Sequence, residues 1–333
     1  MSYLYLCENG ATVGVEENYV VVSYSDGMKK KIPVETLESI QIFGHASMTS
    51  PCITQCLKKG IPVMYYSKGG AYFGRLQSTG HVNAVRQRQQ SRLGDTVFGL
   101  EISRRLIEAK IHNQRVVLRR YERSKEAEAD EEIKMLHILE RKIQTAKGLE
   151  ELRGYEGNAA KVYFRGLGKL VEPEFAFHGR SRRPPKDEFN SMLSLGYSLL
   201  MNEIYGKIEG KGLNPYFGFL HADKEQHPTL ASDLMEEWRA VIVDSMVMSL
   251  INGHEMKKEH FSKSMEMPGI YLTKEGMKIF LKKYDLKVRT KVRYLEEVDY
   301  AVSFRRGMDL QMNGLVRAIE QEDPSLYTPI KIR

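Results

Sequence analysis

The stretch NPYFGFLHADKEQHPTLASDLMEEWRAVIVD, residues Asn214–Asp244, organises the rest of this 333-residue chain. It begins with an apolar, glycine-interrupted run that ends at His221. A short polar loop follows, after which Thr229 or Ser232 could cap a helix. The stretch therefore predicts a histidine that lies next to the start of a helix.

Four acidic residues lie in or just after the first turns of that predicted helix. At about 100° per residue, Asp233, Glu237 and Asp244 share one face. Glu236 lies roughly 60° to the side of that face. Together with His221, these carboxylates could form half of a site for a divalent cation, which prefers oxygen ligands and accepts an imidazole. The alternative is a solvated acidic face favoured by the helix dipole, beside an ordinary surface or core histidine.

Four segments of the chain resemble the signature blocks of one family, the CRISPR-associated adaptation integrases. The blocks occur in the family's order and at compatible spacing, and the resemblance spans almost the whole chain. The segments are GYEGNAAKVYF (Gly154–Phe164), RRPPKDEFNSMLSLGYSLL (Arg182–Leu200), NPYFGFLH (Asn214–His221) and TLASDLMEEWRAVIVD (Thr229–Asp244).

This resemblance implies a metal site. In the family an acid, a histidine and a second acid hold the metal, and the matching positions here are Glu156, His221 and Glu236. The resemblance makes Asp233, the preceding acid of the same block, a supporting residue. The implied cofactor is Mg²⁺ or Mn²⁺ in an oxygen-rich shell with one imidazole. A role for His221 as a general base is the alternative.

The resemblance also implies the reaction and the partners. It implies a metal-dependent DNA endonuclease and integrase that inserts new spacer DNA into a CRISPR array, with blocks closer to a type I branch. The 3′-hydroxyl of a captured fragment would attack a strand at the repeat boundary. The implied partners are double-stranded DNA, a second copy of the chain and the small CRISPR adaptation partner protein. A non-catalytic DNA-binding scaffold and a general structure-specific nuclease are the alternatives.

The pattern of the chain changes near Ala84. Residues 1–84 show short strand-like runs, a hairpin turn at Asp26–Gly27 and one helix at Thr49–Lys59. Long helical patterns follow. We therefore predict an α+β fold, with a small N-terminal β-strand-rich domain that dimerises and a larger all-α catalytic domain over residues 85–333.

The charge balance favours a polyanionic partner. The chain has 50 Lys and Arg residues against 43 Asp and Glu residues, a net charge of +7. Lysine and arginine contacts to phosphates drive sequence-independent DNA binding. Arg180, Arg182, Arg183 and Lys186 lie together beside two prolines and are candidate DNA contacts, whereas a solvated basic face is the alternative for each of them.

The remaining features indicate a cytoplasmic protein. Cys7, Cys52 and Cys56 form no disulfide framework and indicate reduced thiols, with the last two as small apolar helix residues. The N-terminus lacks the pattern of a signal peptide. No run approaches the ~20 apolar residues of a membrane span, so we expect no membrane contact. The tail Asp323–Arg333 contains two prolines, and we expect it to be loosely held.

Overall fold

The computed structural model describes residues 2–123, 129–181, 184–263, 268–293, 295–296 and 298–333. A β-rich region comes first and a helical region follows, as the sequence predicted. The strands of the first region are β1 (Ser2–Leu6), β2 (Thr12–Glu16), β3 (Tyr19–Ser23), β4 (Lys29–Pro33), β5 (Leu37–Phe43), β6 (Ser47–Met48), β7 (Val63–Tyr66) and β8 (Tyr72–Leu76).

These strands form two sheets. One has the order β1–β5–β7–β8, in which β8 is antiparallel to β7 and the other neighbours are parallel. The other has the order β4–β3–β2–β6 and contains the predicted hairpin turn, where Gly27 adopts a φ of 85°. Helix α1 (Ser50–Lys59) is capped by the Thr49 hydroxyl and ends at Gly60, whose φ is 69°. Valine- and isoleucine-rich strand faces pack into a small core of their own.

The helical region surrounds a long, almost entirely buried central helix, α6. Two short antiparallel ribbons, β9–β10 (Phe261–Lys263 and Ile270–Leu272) and β11–β12 (Lys291–Val292 and Val302–Ser303), accompany the helices. The helices are α2 (Ala84–Gly94), α3 (Val97–Glu122), α4 (Asp130–Ile143), α5 (Leu149–Leu170), α6 (Glu188–Gly210), α7 (Thr229–Trp238), α8 (Ser245–Asn252), α9 (Lys274–Arg289) and α10 (Phe304–Gln321).

Buried polar contacts join the two regions. The guanidinium of Arg305 on α10 donates to Glu203 Oε1 over 2.7 Å and to the Tyr5 hydroxyl over 3.2 Å. Arg75 on β8 donates to Asn202 Oδ1 over 2.8 Å. Helix α2 begins at Ala84, where the pattern predicted the change. The division into two domains at that residue stays a prediction.

The C-terminal tail differs from its prediction. The side chains of Tyr327, Ile330 and Ile332 are buried, so the expectation that Asp323–Arg333 is loosely held is wrong. The Tyr327 hydroxyl and the Ile330 N–H donate to the two carboxylate oxygens of Glu237 over 2.5 and 2.7 Å. Prolines and polar residues in the tail gave no sign of this anchor, because the partner lies on α7, far away in the sequence.

The cysteines and the apolar content of the helices are the two remaining features. Cys7, Cys52 and Cys56 are free thiols, and the last two are buried on α1 as predicted. Among the described residues, no helix combines the length and the apolar character that crossing a membrane requires.

Asn113 on α3 also holds the C-terminal tail, so its replacement should lower the stability of the fold strongly. Its amide donates to the carbonyl oxygens of Glu237 and Ile330 and accepts from the Ile332 N–H, all over 2.8–2.9 Å. Asn113→Ala would leave these buried groups without partners, and we expect the free energy of unfolding to fall by roughly 2–4 kcal/mol in chemical denaturation. Asn313→Ala, at a half-buried site on α10, is the matched control and should change it little. Equal effects of both substitutions would contradict the proposed anchor.

Candidate active site

The acids of α7 and its continuation are buried. The exposed fractions of Asp233, Glu236, Glu237 and Asp244 are 0%, 3%, 0% and 1%. A solvated acidic face that only complements the helix dipole is therefore excluded. A buried charge is stable only when it is paired or hydrogen-bonded, so each of these carboxylates requires specific partners.

The helix itself differs from the prediction in two ways. Pro228 precedes it, and neither Thr229 nor Ser232 acts as a cap. The Thr229 hydroxyl instead donates to the Tyr216 carbonyl over 2.5 Å. Residues Arg239–Asp244 then form a π-helix, whose wider turn changes the direction of the following side chains. The predicted common face is consequently wrong for Asp244, whereas Asp233 and Glu237 both lie on the regular helix α7.

Two of the acids point away from the candidate site. Glu237 holds the C-terminal tail, and burial raises its pKa to about 8. Asp244 accepts hydrogen bonds from the hydroxyls of Tyr163 and Tyr197 over 2.9 and 2.6 Å. Burial raises the pKa of Asp244 to about 6. Both residues thus have structural partners.

Asp233 positions His221. One oxygen of its carboxylate accepts from the backbone N–H groups of Phe219 and Leu220 over 2.7 and 2.9 Å. The other accepts from the His221 N–H over 3.1 Å and lies 2.5 Å from Nδ1 of the same residue. Because a carboxylate only accepts, Nδ1 carries the proton, and in the neutral ring Nε2 keeps its lone pair. The hydrogen bond to Asp233 overcomes the effect of burial and raises the pKa of His221.

Glu156 on α5 and Glu236 on α7 meet at one cation. The ammonium of Lys110, on α3, contacts Glu156 Oε1 and lies 2.7 Å from Glu236 Oε2. Arg239 lies 3.2 Å from the other oxygen of Glu236. Burial opposes ionisation of Glu236, but these two cations outweigh it and lower its pKa to about 2. Both carboxylates of the pair are therefore held by positive charge.

The structure joins two of the three predicted ligands, Glu156 and Glu236, through Lys110. His221 is held by Asp233, which precedes Glu236 by three residues on α7. No hydrogen bond or ion pair among the described residues joins His221 to Glu156 or Glu236. In the described part of the chain, no three His, Cys, Asp or Glu side chains are arranged as a metal-holding group. Lys110 lies between the two glutamates instead.

Lys110 and Arg239 belong to the site, although the sequence pattern did not single them out for it. A signal for Lys110 was present, because it follows Leu106 by four residues and Ile107 by three and so shares the buried face of α3. A lysine on such a face requires a buried anionic partner. Arg239 follows Glu236 by three residues, a spacing that brings the two side chains together on a helix.

A basic groove of about 770 Å³ runs beside α5. Ala160 and Phe164 line it and follow Glu156 at intervals of four residues, so the groove begins about one helical turn from that carboxylate. Its aromatic wall is completed by Phe177. The cations and the imidazole that line it are Lys161, Arg165, Lys169, His178 and Arg180.

The predicted DNA-contacting loop is only partly described. Arg180 points inward, and its guanidinium donates to Asn190 Oδ1 over 2.9 Å. Lys186 is exposed. Arg182 and Arg183 lie outside the described residues. Arg180 thus positions the loop on α6, while its direct contact with DNA stays a prediction.

Comparisons with known proteins agree with this architecture. A curated CRISPR-associated endonuclease Cas1 from Mycobacterium tuberculosis is 38% identical over 333 residues, which cover 100% of this chain and 98% of that protein. The structure of a CAS1 protein from Thermotoga maritima superposes with a TM-score of 0.82 at 25% identity, covering 96% of this chain and 97% of that one.

A longer chain in a Cas6-RT-Cas1–Cas2 complex matches with a TM-score of 0.84 at 25% identity. The match covers 98% of the present chain, which spans about a third (36%) of that longer chain. The family model described as CRISPR associated protein Cas1 matches residues 4–286. With a full-length relative above 30% identity and a family match over most of its residues, this chain belongs to the Cas1 family.

Proposed function

We propose that this protein is a metal-dependent DNA endonuclease and integrase that inserts new spacer DNA into a CRISPR array. The reaction would be a transesterification, in which a 3′-hydroxyl of the captured fragment attacks a phosphodiester at the repeat boundary. The observation that carries the proposal is His221, partly exposed and held by the buried Asp233, together with the carboxylates of Glu156 and Glu236. A non-catalytic scaffold would not require an imidazole held by a buried carboxylate next to a buried, ionised glutamate, because such groups are costly to bury.

The residues of the site fit a hard divalent cation. Glu236 Oε2 is buried and accepts no hydrogen bond among the described residues, although the Lys110 ammonium lies near it. Nε2 of His221 is left free by the hydrogen bond of Nδ1. Glu156, His221 and Glu236 would hold Mg²⁺ or Mn²⁺ through two carboxylates and one imidazole. When bound there, the ion would polarise the scissile phosphate and stabilise the charge of an in-line displacement.

The chain's own residues supply orientation and charge. Asp233 fixes the ring and the tautomer of His221, and such supporting hydrogen bonds commonly raise the affinity of a site for its metal. This arrangement favours ligation by His221 over a role as a general base. Arg239 and Lys110 add positive charge in a buried setting, where their attraction for a phosphate is less screened than in water.

The groove beside α5 offers a path for a DNA strand to the site. Its cations can neutralise phosphates without reading sequence, and Phe164 provides a face on which a base can stack. Arg165 and Lys169 pair with Glu132 over 2.8 and 2.9 Å. Their side chains nevertheless remain 62% and 42% exposed, so both can reach a backbone that enters the groove.

We also propose two protein partners. Strand β8 lies at the edge of its sheet and exposes Tyr72 and Phe73, the latter by 72%. Exposed apolar edge strands favour pairing with another chain, so the β-rich region would form the homodimer. The second partner is the small adaptation protein of the Cas2 type, which occurs beside a similar chain in the Cas6-RT-Cas1–Cas2 complex.

The metal site predicts the outcome of single substitutions. Glu156→Gln, Glu236→Gln or His221→Ala should each lower strand transfer by roughly two orders of magnitude or more, because each removes one donor of the same ion. Combining two of them should cost little more. The measurement is integration of a duplex with free 3′-hydroxyls, against a 3′-blocked duplex, into repeat-bearing DNA in Mg²⁺ and Mn²⁺. Glu150→Gln, an exposed glutamate on the helix of Glu156, is the control.

DNA binding should survive these substitutions, since its energy comes from distributed phosphate contacts. A gel-shift assay on the same duplex separates the two effects. Integration at the wild-type rate by Glu156→Gln or Glu236→Gln would show that the site is assigned wrongly.

The groove predicts a change in salt dependence. Replacing Lys161, Arg165 and Lys169 together by Gln should flatten the plot of log affinity against log salt by roughly 0.9 for each lost phosphate contact. Replacing Lys29 and Lys31, together with the neighbouring Lys30, by Gln removes the same charge from strand β4 and serves as the matched control. An equal change of slope in both triple variants would contradict a specific path along α5.

The edge strand predicts the oligomeric state. Phe73→Glu places a charge on β8 and should shift the protein from dimer to monomer in light scattering. Met28→Glu is the matched control, because Met28 is an exposed apolar residue in the β3–β4 hairpin, and it should leave the dimer intact. A wild-type protein that is monomeric at concentrations typical of stable dimers would overturn the proposed assembly.

A further inference from the structure

Lys110 is an unusual residue for its position. It lies on the buried face of α3, and only 6% of its side chain is exposed. A lysine is almost never fully buried unless it is paired, because the loss of hydration is costly. Here its ammonium contacts two carboxylates, and their attraction outweighs the effect of burial and keeps the pKa of Lys110 above its usual value. The side chain is therefore a fixed positive charge inside the helical core.

The ammonium touches the oxygens that a metal would use. It contacts Glu156 Oε1 and lies 2.7 Å from Glu236 Oε2. The second oxygen is buried, and the ammonium is its ion-pair partner among the described residues. Arg239 already occupies the other oxygen of Glu236. The position between the two glutamates is thus held by the lysine.

We propose that Lys110 is a resident counter-ion that holds the metal position in the metal-free protein and competes with the divalent cation for Glu156 and Glu236. The inference rests on the proposed function, since it takes these glutamates as ligands. An ammonium and a divalent cation at adjacent positions repel each other strongly in a buried site. The flexible four-carbon stem of lysine allows its head to withdraw when the cation binds.

This role has two consequences. Lys110 stabilises the metal-free fold, because without it the carboxylate of Glu156 would face the buried carboxylate of Glu236, whose remaining ion-pair partner among the described residues is Arg239. It also weakens metal binding, because part of the binding energy displaces the ammonium. A lysine that merely organised the ligands would have the opposite effect on affinity, since its removal would disorder the site and weaken binding. The two roles are therefore distinguishable without any measurement of activity.

The test uses the full-length, DNA-free protein and Mn²⁺ as the probe, with affinity measured by titration calorimetry. Lys110→Met should bind Mn²⁺ more tightly by roughly tenfold or more, which corresponds to ~1.4 kcal/mol for each factor of ten. Its melting temperature without metal should fall below that of the wild type, and Mn²⁺ should raise it by a larger increment. Lys110→Gln, which keeps a polar head, should show the same changes more weakly and serves if the first variant folds poorly.

Lys161→Met is the matched control. It removes one positive charge from an exposed position on α5, the helix of Glu156, and should change the Mn²⁺ affinity by less than about twofold because solvent screens it. An affinity that is unchanged or weaker in the folded Lys110 variants would overturn the inference. Equal Mn²⁺ binding by wild type and Glu156→Gln, or no binding by wild type and Lys110→Met alike, would instead reject the proposed metal site itself.

Discussion

The burial of four carboxylates on α7 and its π-helical continuation is the constraint on which the helical region depends. Each buried acid needs its own partners, and each set of partners belongs to a different part of the chain. Asp233 binds the segment that ends at His221, Glu236 faces cations from α3 and from its own helix, Glu237 holds the C-terminal tail, and Asp244 joins α5 to α6. Satisfying all four at once fixes the positions of these elements around one helix.

The π-helix contributes to this distribution at Asp244. A regular helix would align three of the acids on a single face, where like charges would repel one another and one partner surface would have to satisfy them all. The wider turn of Arg239–Asp244 changes the direction of Asp244, whose carboxylate accepts from two tyrosine hydroxyls. A local irregularity therefore separates Asp244 from the acids of α7.

The ion pairs around Glu156 and Glu236 affect both the stability of the fold and the binding of a metal. Glu156 and Glu236 carry two negative charges, which Lys110 and Arg239 offset in the absence of a metal. The cluster lies where α3, α5 and α7 meet, next to the beginning of the basic groove. Because these two carboxylates and two cations balance each other's charge, the cluster is stable within the folded helical region. The same groups can bind a divalent cation or a phosphate when the internal ion pairs rearrange.

The sequence alone determined the order of strands and helices, because alternating and helical periodicities, glycines and prolines act over a few residues. Its resemblance to the family's blocks also predicted Glu156, His221 and Glu236 as ligands of one ion, which stays a prediction. Only the tertiary structure decided which acids face the site, because their partners lie far away along the chain. It also placed Lys110 between the two glutamates. In addition, it showed that the C-terminal tail is buried. The partner of each buried charge is decided by residues far apart along the chain, and no local pattern of residues specifies that pairing.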